Sequence, residues 1–236
     1  MKNSKKRKLC VYCGIREATE SEHVIPKALF PKPLPQIMVT VPPCGQCNDE
    51  KKDDDEYLRD MMIVDIENAG HPAIEGHLKG KLLRAASRGQ SRLAGDVIRL
   101  AHLSPVHTPG GIYLGHAPAI PLDYVCVNRL FKRIVCGLYY QLYRRRLPDD
   151  TSFDIRRINP PYKNQVVEQL NRIGVKESRF IGTEFECLHT LAIEDSTVTS
   201  WLMRFFNIYI SVTTNLDKHE VTCSTNSTAA FLSQPR

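Results

Sequence analysis

The sequence predicts an α+β protein: a small N-terminal module pinned by metal, then a larger α+β domain with a long basic helix and C-terminal antiparallel strands. Three observations carry this expectation. Four of the eight cysteines, Cys10, Cys13, Cys44 and Cys47, crowd the first fifth of the 236 residues as two Cys-x-x-Cys pairs, while Cys126, Cys136, Cys187 and Cys223 are scattered singly. Between residues 122 and 146 the apolar positions Val127, Leu130, Phe131, Ile134, Val135, Leu138 and Leu142 recur three or four apart, the period of one helix face. The last third alternates and is rich in β-branched and aromatic residues, the habit of antiparallel strands. These features divide the chain into a basic flexible tail over residues 1–8, the metal-pinned module over 9–60, and the α+β domain over 61–236.

Taken in order, residues 37–41 form a short strand inside a Pro-rich loop. A helix follows Cys47, with Tyr57, Leu58, Met61 and Met62 at helical spacing and acids crowded into its first turns, where the dipole favours them. A second helix is expected over residues 72–88, striped by Ile74, Leu78, Leu82 and Ala85. Residues 95–117 read as two strands around a Pro109-Gly110-Gly111 turn. The long helix has Asp123 as its N-cap and Pro148 just past its end. A strand over 153–158, a helix over 162–173 and two or three antiparallel strands complete the chain.

Composition narrows the functional classes. With 42% hydrophobic and 25% charged residues, collagen-like and wholly disordered readings are out. No apolar run approaches the ~18–20 residues of a membrane span, and the basic N-terminus leads into no apolar signal core, so a cytoplasmic or nuclear protein with no membrane partner is expected. The net charge of +6 points to a polyanionic partner, and its distribution is uneven. The first eight residues supply +5, and the stretch between Tyr124 and Pro148 has six bases and no acid.

In a chain expected to stay reduced, two Cys-x-x-Cys pairs more often bind metal than form disulfides. Four thiolates satisfy a tetrahedral zinc ion, and the closed shell makes such a Zn2+ structural. Two local disulfides or unbound thiols are the alternative. Gly14 and Gly45 suit the tight turns required.

Between the pairs lies Ser21-Glu22-His23-Val24-Ile25-Pro26-Lys27, and the second pair runs directly into Asn48. With its segments CVYC, SEHVIPK and CGQCNDEKK, all within about the first 55 residues, the chain resembles the HNH nuclease family, whose ββα-metal fold is often pinned by four such cysteines. The resemblance implies a metal-dependent endonuclease that hydrolyses phosphodiester bonds, in DNA. It makes His23 the general base, Glu22 a ligand of a catalytic Mg2+ or Mn2+, and Asn48 the ligand at the last motif position. These residue types suit that chemistry, since neutral imidazole accepts a proton near pH 7 and hard cations take oxygen ligands. Glu22 and His23 are adjacent and would diverge on a regular strand, so a shared site demands a local bend. The match also departs from the family: the slot of its middle Asn is Val39, with Gln36, Ile37 and Thr40 nearby. Asp55, seven residues after Asn48, falls on the same helical face and is a weaker candidate ligand, a solvated acidic first turn being the preferred reading.

For the nucleic acid, expected to be double-stranded DNA, the candidate contacts are Lys5, Lys6, Arg7 and Lys8 in the tail and Arg129, Arg133 and Arg144 on the long helix. An amphipathic core helix with a basic outer face explains the same arginines equally well. His71, His77, His102, His107, His116, His189 and His219 lack metal-ligand spacing. Two rival functions stay open: a zinc-knuckle nucleic-acid-binding protein without catalysis, and a nuclease subunit of a bacterial antiviral complex that acts only with a partner. A protein partner or a second copy of the chain is compatible with each.

Overall fold

The first knuckle folds because Gly14 can take a left-handed turn (φ 63°) and let its N–H reach back to Cys10 O. A side chain there would collide with the Arg146 guanidinium. The computed structural model describes residues 8–36, 38–108, 110–159, 162–172, 177–181, 184–192 and 195–215. The tail residues Lys5, Lys6 and Arg7, together with Cys223 and His219, lie outside these, as does Ile37.

Two short strands, β1 (Glu22–His23) and β2 (Thr40–Val41), pair antiparallel with Glu22 opposite Val41 and His23 opposite Thr40. The ladder continues through Val24 N–H to Val39 O. Pro42 and Pro43 lack the N–H that would extend a strand, and their carbonyls instead accept from Val11, Thr19 and Glu20, tying the first knuckle to the second. Helix α1 (Gly45–Val64) begins at Cys44 and buries Tyr57, Leu58, Met61 and Met62. It runs straight through residue 60, so the boundary expected at 60/61 falls inside a helix. The module and the rest share one continuous buried core, in which Val24 and Ile25 join α1 and the later elements.

After a 3-10 turn (Ile66–Asn68), the helix expected over 72–88 appears as a π-helical turn (Ile74–Leu78) flowing into α2 (Lys79–Ser87). The strand expected from residue 95 is not there. Residues 92–100 form helix α3 (Arg92–Leu100), because Ser91 Oγ accepts from Ala94 N–H as an N-terminal cap and itself donates to buried Asp60, while Leu93 packs inside. The hairpin follows as β3 (His102–His107) and β4 (Tyr113–Ala119), largely exposed on both faces.

Helix α4 (Tyr124–Tyr143) is capped by Asp123, whose carboxylate accepts from Cys126 N–H at 3.0 Å, and ends at Arg144 in the left-handed region (φ 54°), two residues before the expected end. Its apolar face meets the module closely at Gly137, where an added Cβ would lie 2.7 Å from Val24 Cγ2. Its other neighbour is a five-stranded antiparallel sheet in place of the expected two or three C-terminal strands plus one. The sheet comprises β5 (Phe153–Ile158), β6 (Glu177–Ile181), β7 (Phe185–Leu191), β8 (Thr199–Phe205) and β9 (Ile208–Thr214) in the order β5-β9-β8-β7-β6, with α5 (Lys163–Arg172) between β5 and β6. Phe185, Cys187, Trp201, Met203, Phe205, Ile208, Ile210 and Val212 alternate onto the buried side, and Phe205 meets Phe131 of α4 edge-on at 5.9 Å. The β8–β9 tip is anchored to the end of α1: Asn207 N–H donates to Asn68 Oδ1, and Asn68 Nδ2 donates to Met62 O. No helix among the described residues is long and apolar enough to cross a membrane.

Candidate metal centre and catalytic site

The Sγ atoms of Cys10, Cys13, Cys44 and Cys47 all lie within 4.8 Å of one another. Zinc–sulfur bonds of about 2.3 Å in a tetrahedron put sulfurs roughly 3.8 Å apart, and Cys13 Sγ and Cys44 Sγ are 4.0 Å apart. The four cysteines therefore form a site that can hold a structural metal such as zinc. Among the described residues it is the sole group of three or more His, Cys, Asp or Glu side chains close enough to share an ion.

Arg16 completes this centre, and motif reading passed over it. Its Nε donates to Cys44 Sγ at 3.1 Å and its Nη2 to Cys47 Sγ at 3.5 Å. Burial resists the Cys44 thiolate, but hydrogen bonds from the Arg16 guanidinium, the Cys47 backbone and the Cys47 and Cys10 thiols together outweigh it and bring the thiol down to about 6, whereas burial pushes Cys47 up to about 12. Four thiolates around a divalent ion leave two negative charges, one of which Arg16 offsets. The signal in the sequence was slight: Arg16 is the one basic residue between Cys13 and Glu22.

One face of α1 looks onto β1. Asn48, Lys51 and Asp55 stand at i, i+3 and i+7 and so share that face. Lys51 Nζ donates to both Asp55 carboxylate oxygens at 2.6 and 2.7 Å and to Glu22 Oε1 at 3.2 Å, with its side chain only 3% exposed. A buried ammonium thus sits between the two carboxylates that sequence reasoning offered to a divalent cation. Asp55 is drawn inward rather than solvated, and burial lifts its carboxyl to about 6 although Lys51 pulls the other way. The Tyr12 hydroxyl is buried without a hydrogen-bond partner, and its pKa is raised by burial and by the charges of Glu22 and Asp55.

His23 Nδ1 and Asn48 Oδ1 are likewise buried without a hydrogen-bond partner. Asn48 Nδ2 donates to Glu20, which holds the amide in place. Burial, Lys27 and Lys51 all keep His23 below its usual pKa, against Glu22. The imidazole is therefore neutral at pH 7. Val39, in the slot of the family's middle Asn, is an 8% exposed core residue, and neither Thr40 nor Gln36 orients the His23 Nδ1 atom.

Two of the arginines expected on DNA, Arg129 and Arg133, pair with acids of α1, although Arg129 stays 47% exposed. Arg129 grips buried Asp54 through Nε (2.8 Å) and Nη2 (2.5 Å), and Arg133 bridges Asp54 and Glu50 at 3.2 and 2.8 Å, fastening α4 to α1. The Arg144 side chain donates to Gln141, and both it and Lys8 are exposed. Of the remaining histidines, His189 stacks on Trp201 at 4.8 Å and bonds to the Tyr143 hydroxyl, His71 packs against Phe206, and His102, His107 and His116 lie on the exposed hairpin. Compared with protein-family models, with curated proteins and with solved structures, the chain matches none.

Proposed function

We propose that this chain is a metal-dependent HNH-type endonuclease that hydrolyses phosphodiester bonds in DNA, with a structural zinc at its four cysteines. The observation that supports it best is a pair of buried, unsatisfied polar atoms, His23 Nδ1 and Asn48 Oδ1, beside the Glu22–Lys51–Asp55 cluster. A buried polar atom without a partner costs about 1–3 kcal/mol, and such atoms are retained where a ligand or a reaction uses them. The donor set suits a hard cation: Asn48 Oδ1 is unclaimed, and Glu22 shares its ammonium partner with Asp55.

In this reading His23 takes the proton from the attacking water. Glu22 and Asn48 would hold Mg2+ or Mn2+, with Asp55 as an auxiliary oxygen. The bound cation supplies charge stabilisation at the scissile phosphate and leaving oxygen. Lys51 holds both carboxylates paired, so a cation at Glu22 would have to compete with its ammonium. The test is nicking of supercoiled plasmid by purified zinc-loaded protein with Mg2+ or Mn2+. His23→Ala abolishes nicking while zinc content and melting temperature stay at the wild-type values; unchanged nicking overturns the assignment.

The position of Lys51 favours a second reading, a zinc-knuckle nucleic-acid-binding protein whose cation site has been filled by the chain itself. That protein would bind DNA in Mg2+ without cutting it. A nuclease subunit awaiting a partner would cut only when that partner is added.

A further inference from the structure

Between the first knuckle, α4 and the segment that follows α4 lies an open cleft of about 590 Å³, within the ~300–1,000 Å³ range of ligand sites. Four cations line it, Arg129, Lys132, Arg133 and Arg146, against one lining carboxylate, Asp149. Three of the four are held by partners of their own. Asp54 holds Arg129 and Arg133, while Arg146 donates to Val11 O and Tyr12 O and pairs with Asp149 at 2.6 Å. A guanidinium has five N–H donors, so these contacts leave donors spare while removing the freedom of the side chain. Lys132 is different: it is exposed, sits 5.3 Å over the Phe153 ring, and has no carboxylate partner among the described residues. Leu147, Pro148 and Phe153 supply an apolar wall. Tyr12 is common ground, lining the cleft while its hydroxyl lies in the field of Glu22 and Asp55.

Fixed cations beside a flat apolar wall match a ligand with a phosphate at one end and a ring at the other. We infer that this cleft binds a nucleotide, its phosphate on Lys132 and Arg129 and its base against the Leu147–Phe153 wall. The nucleotide comes either from a DNA strand, in which case the inference rests on the nuclease reading and extends that substrate's track past Tyr12, or from a free mononucleotide.

The test is binding by the zinc-loaded full chain without added Mg2+, so that it is independent of catalysis. Fluorescence anisotropy with a labelled single-stranded 12-mer gives the strand arm, and calorimetry with a deoxynucleoside monophosphate gives the free arm. Lys132→Glu is expected to weaken whichever probe binds by about tenfold and, for the strand, to lower the salt slope by about one. Arg88→Glu, exposed at the C-terminal end of α2 and outside the cleft lining, serves as the charge control and keeps near wild-type binding. A mononucleotide that binds or competes with the 12-mer identifies the free source; a bound 12-mer without such competition identifies the strand. Wild-type protein that binds neither probe overturns the inference, as does equal binding by wild type and Lys132→Glu, or equal weakening by both variants. The binding assays omit Mg2+ and read no cleavage, so failure here and failure of the nuclease reading are separable.

Discussion

Lys51→Met removes the one ammonium between Glu22 and Asp55 and leaves a side chain of similar reach. Its Nζ is 2.6 Å from Asp55 and 3.2 Å from Glu22, and its own side chain is 3% exposed. Removing one partner of a fully buried pair costs about 3–5 kcal/mol. The carboxylates retain 18% and 22% of their exposure, and Asp55, already at about 6, can shed its charge by taking a proton. The expected loss is therefore about 2–3 kcal/mol at pH 7. Urea unfolding of the zinc-loaded protein measures it, with and without Mg2+. If the carboxylates form a cation site, Mg2+ replaces the missing charge, and a hundredfold excess over its dissociation constant restores about 2.7 kcal/mol. Wild-type protein gains less, because Lys51 competes. A variant as stable as wild type, or one indifferent to both Mg2+ and Mn2+, would refute the reasoning.

Three further substitutions probe the frame around the site. Gly137→Ala should destabilise by about 1–3 kcal/mol in chemical denaturation, because its Cβ would lie 2.7 Å from Val24, although glycine to alanine within a helix ordinarily stabilises by about 1 kcal/mol; Val24→Ala in the same chain should recover part of the loss. Arg16→Ala should lower zinc affinity by about 10- to 100-fold in chelator competition, since the guanidinium bonds two of the four sulfurs. Asp123→Ala should cost about 1 kcal/mol through loss of the α4 cap. The Asp123 carboxyl is held below its usual range by the Cys126 N–H and by Arg92, so this difference is present above the unfolded pKa of about 3.9 and fades as the pH falls through the lower folded value.

The parts of this protein written in local chemistry were legible in its sequence. Cysteine spacing named the four thiols that gather, helical period placed α4 and its Asp123 cap, and Asp55 was seen to share a face with Asn48. What escaped depends on pairings across long separations. Nothing near Lys51 announces that it will reach Glu22, 29 residues earlier, and nothing near Arg129 announces Asp54, 75 residues away. The basic face of α4 read equally as a phosphate track or as the outer face of a core helix, and neither reading included the clamp that Arg129 and Arg133 make on α1 through buried Asp54. Helix α3 fell within the residues read as strands around the Pro109-Gly110-Gly111 turn, and the capping role of Ser91 becomes visible only beside Asp60. The boundary expected at residue 60 followed the crowding of cysteines near the N-terminus, whereas the core packs Val24 against α4 and continues to the sheet.

The central claim is that His23, Glu22 and Asn48 serve hydrolysis. Its most direct test is the Mg2+- or Mn2+-dependent conversion of supercoiled plasmid to nicked circle, by wild type and by His23→Ala, with zinc content measured on the same samples. The account predicts cation-dependent nicking by wild type, and none by a His23→Ala protein that retains one zinc per chain. Nicking of equal rate by the two proteins, or DNA bound by wild type and left intact with either cation, would contradict it.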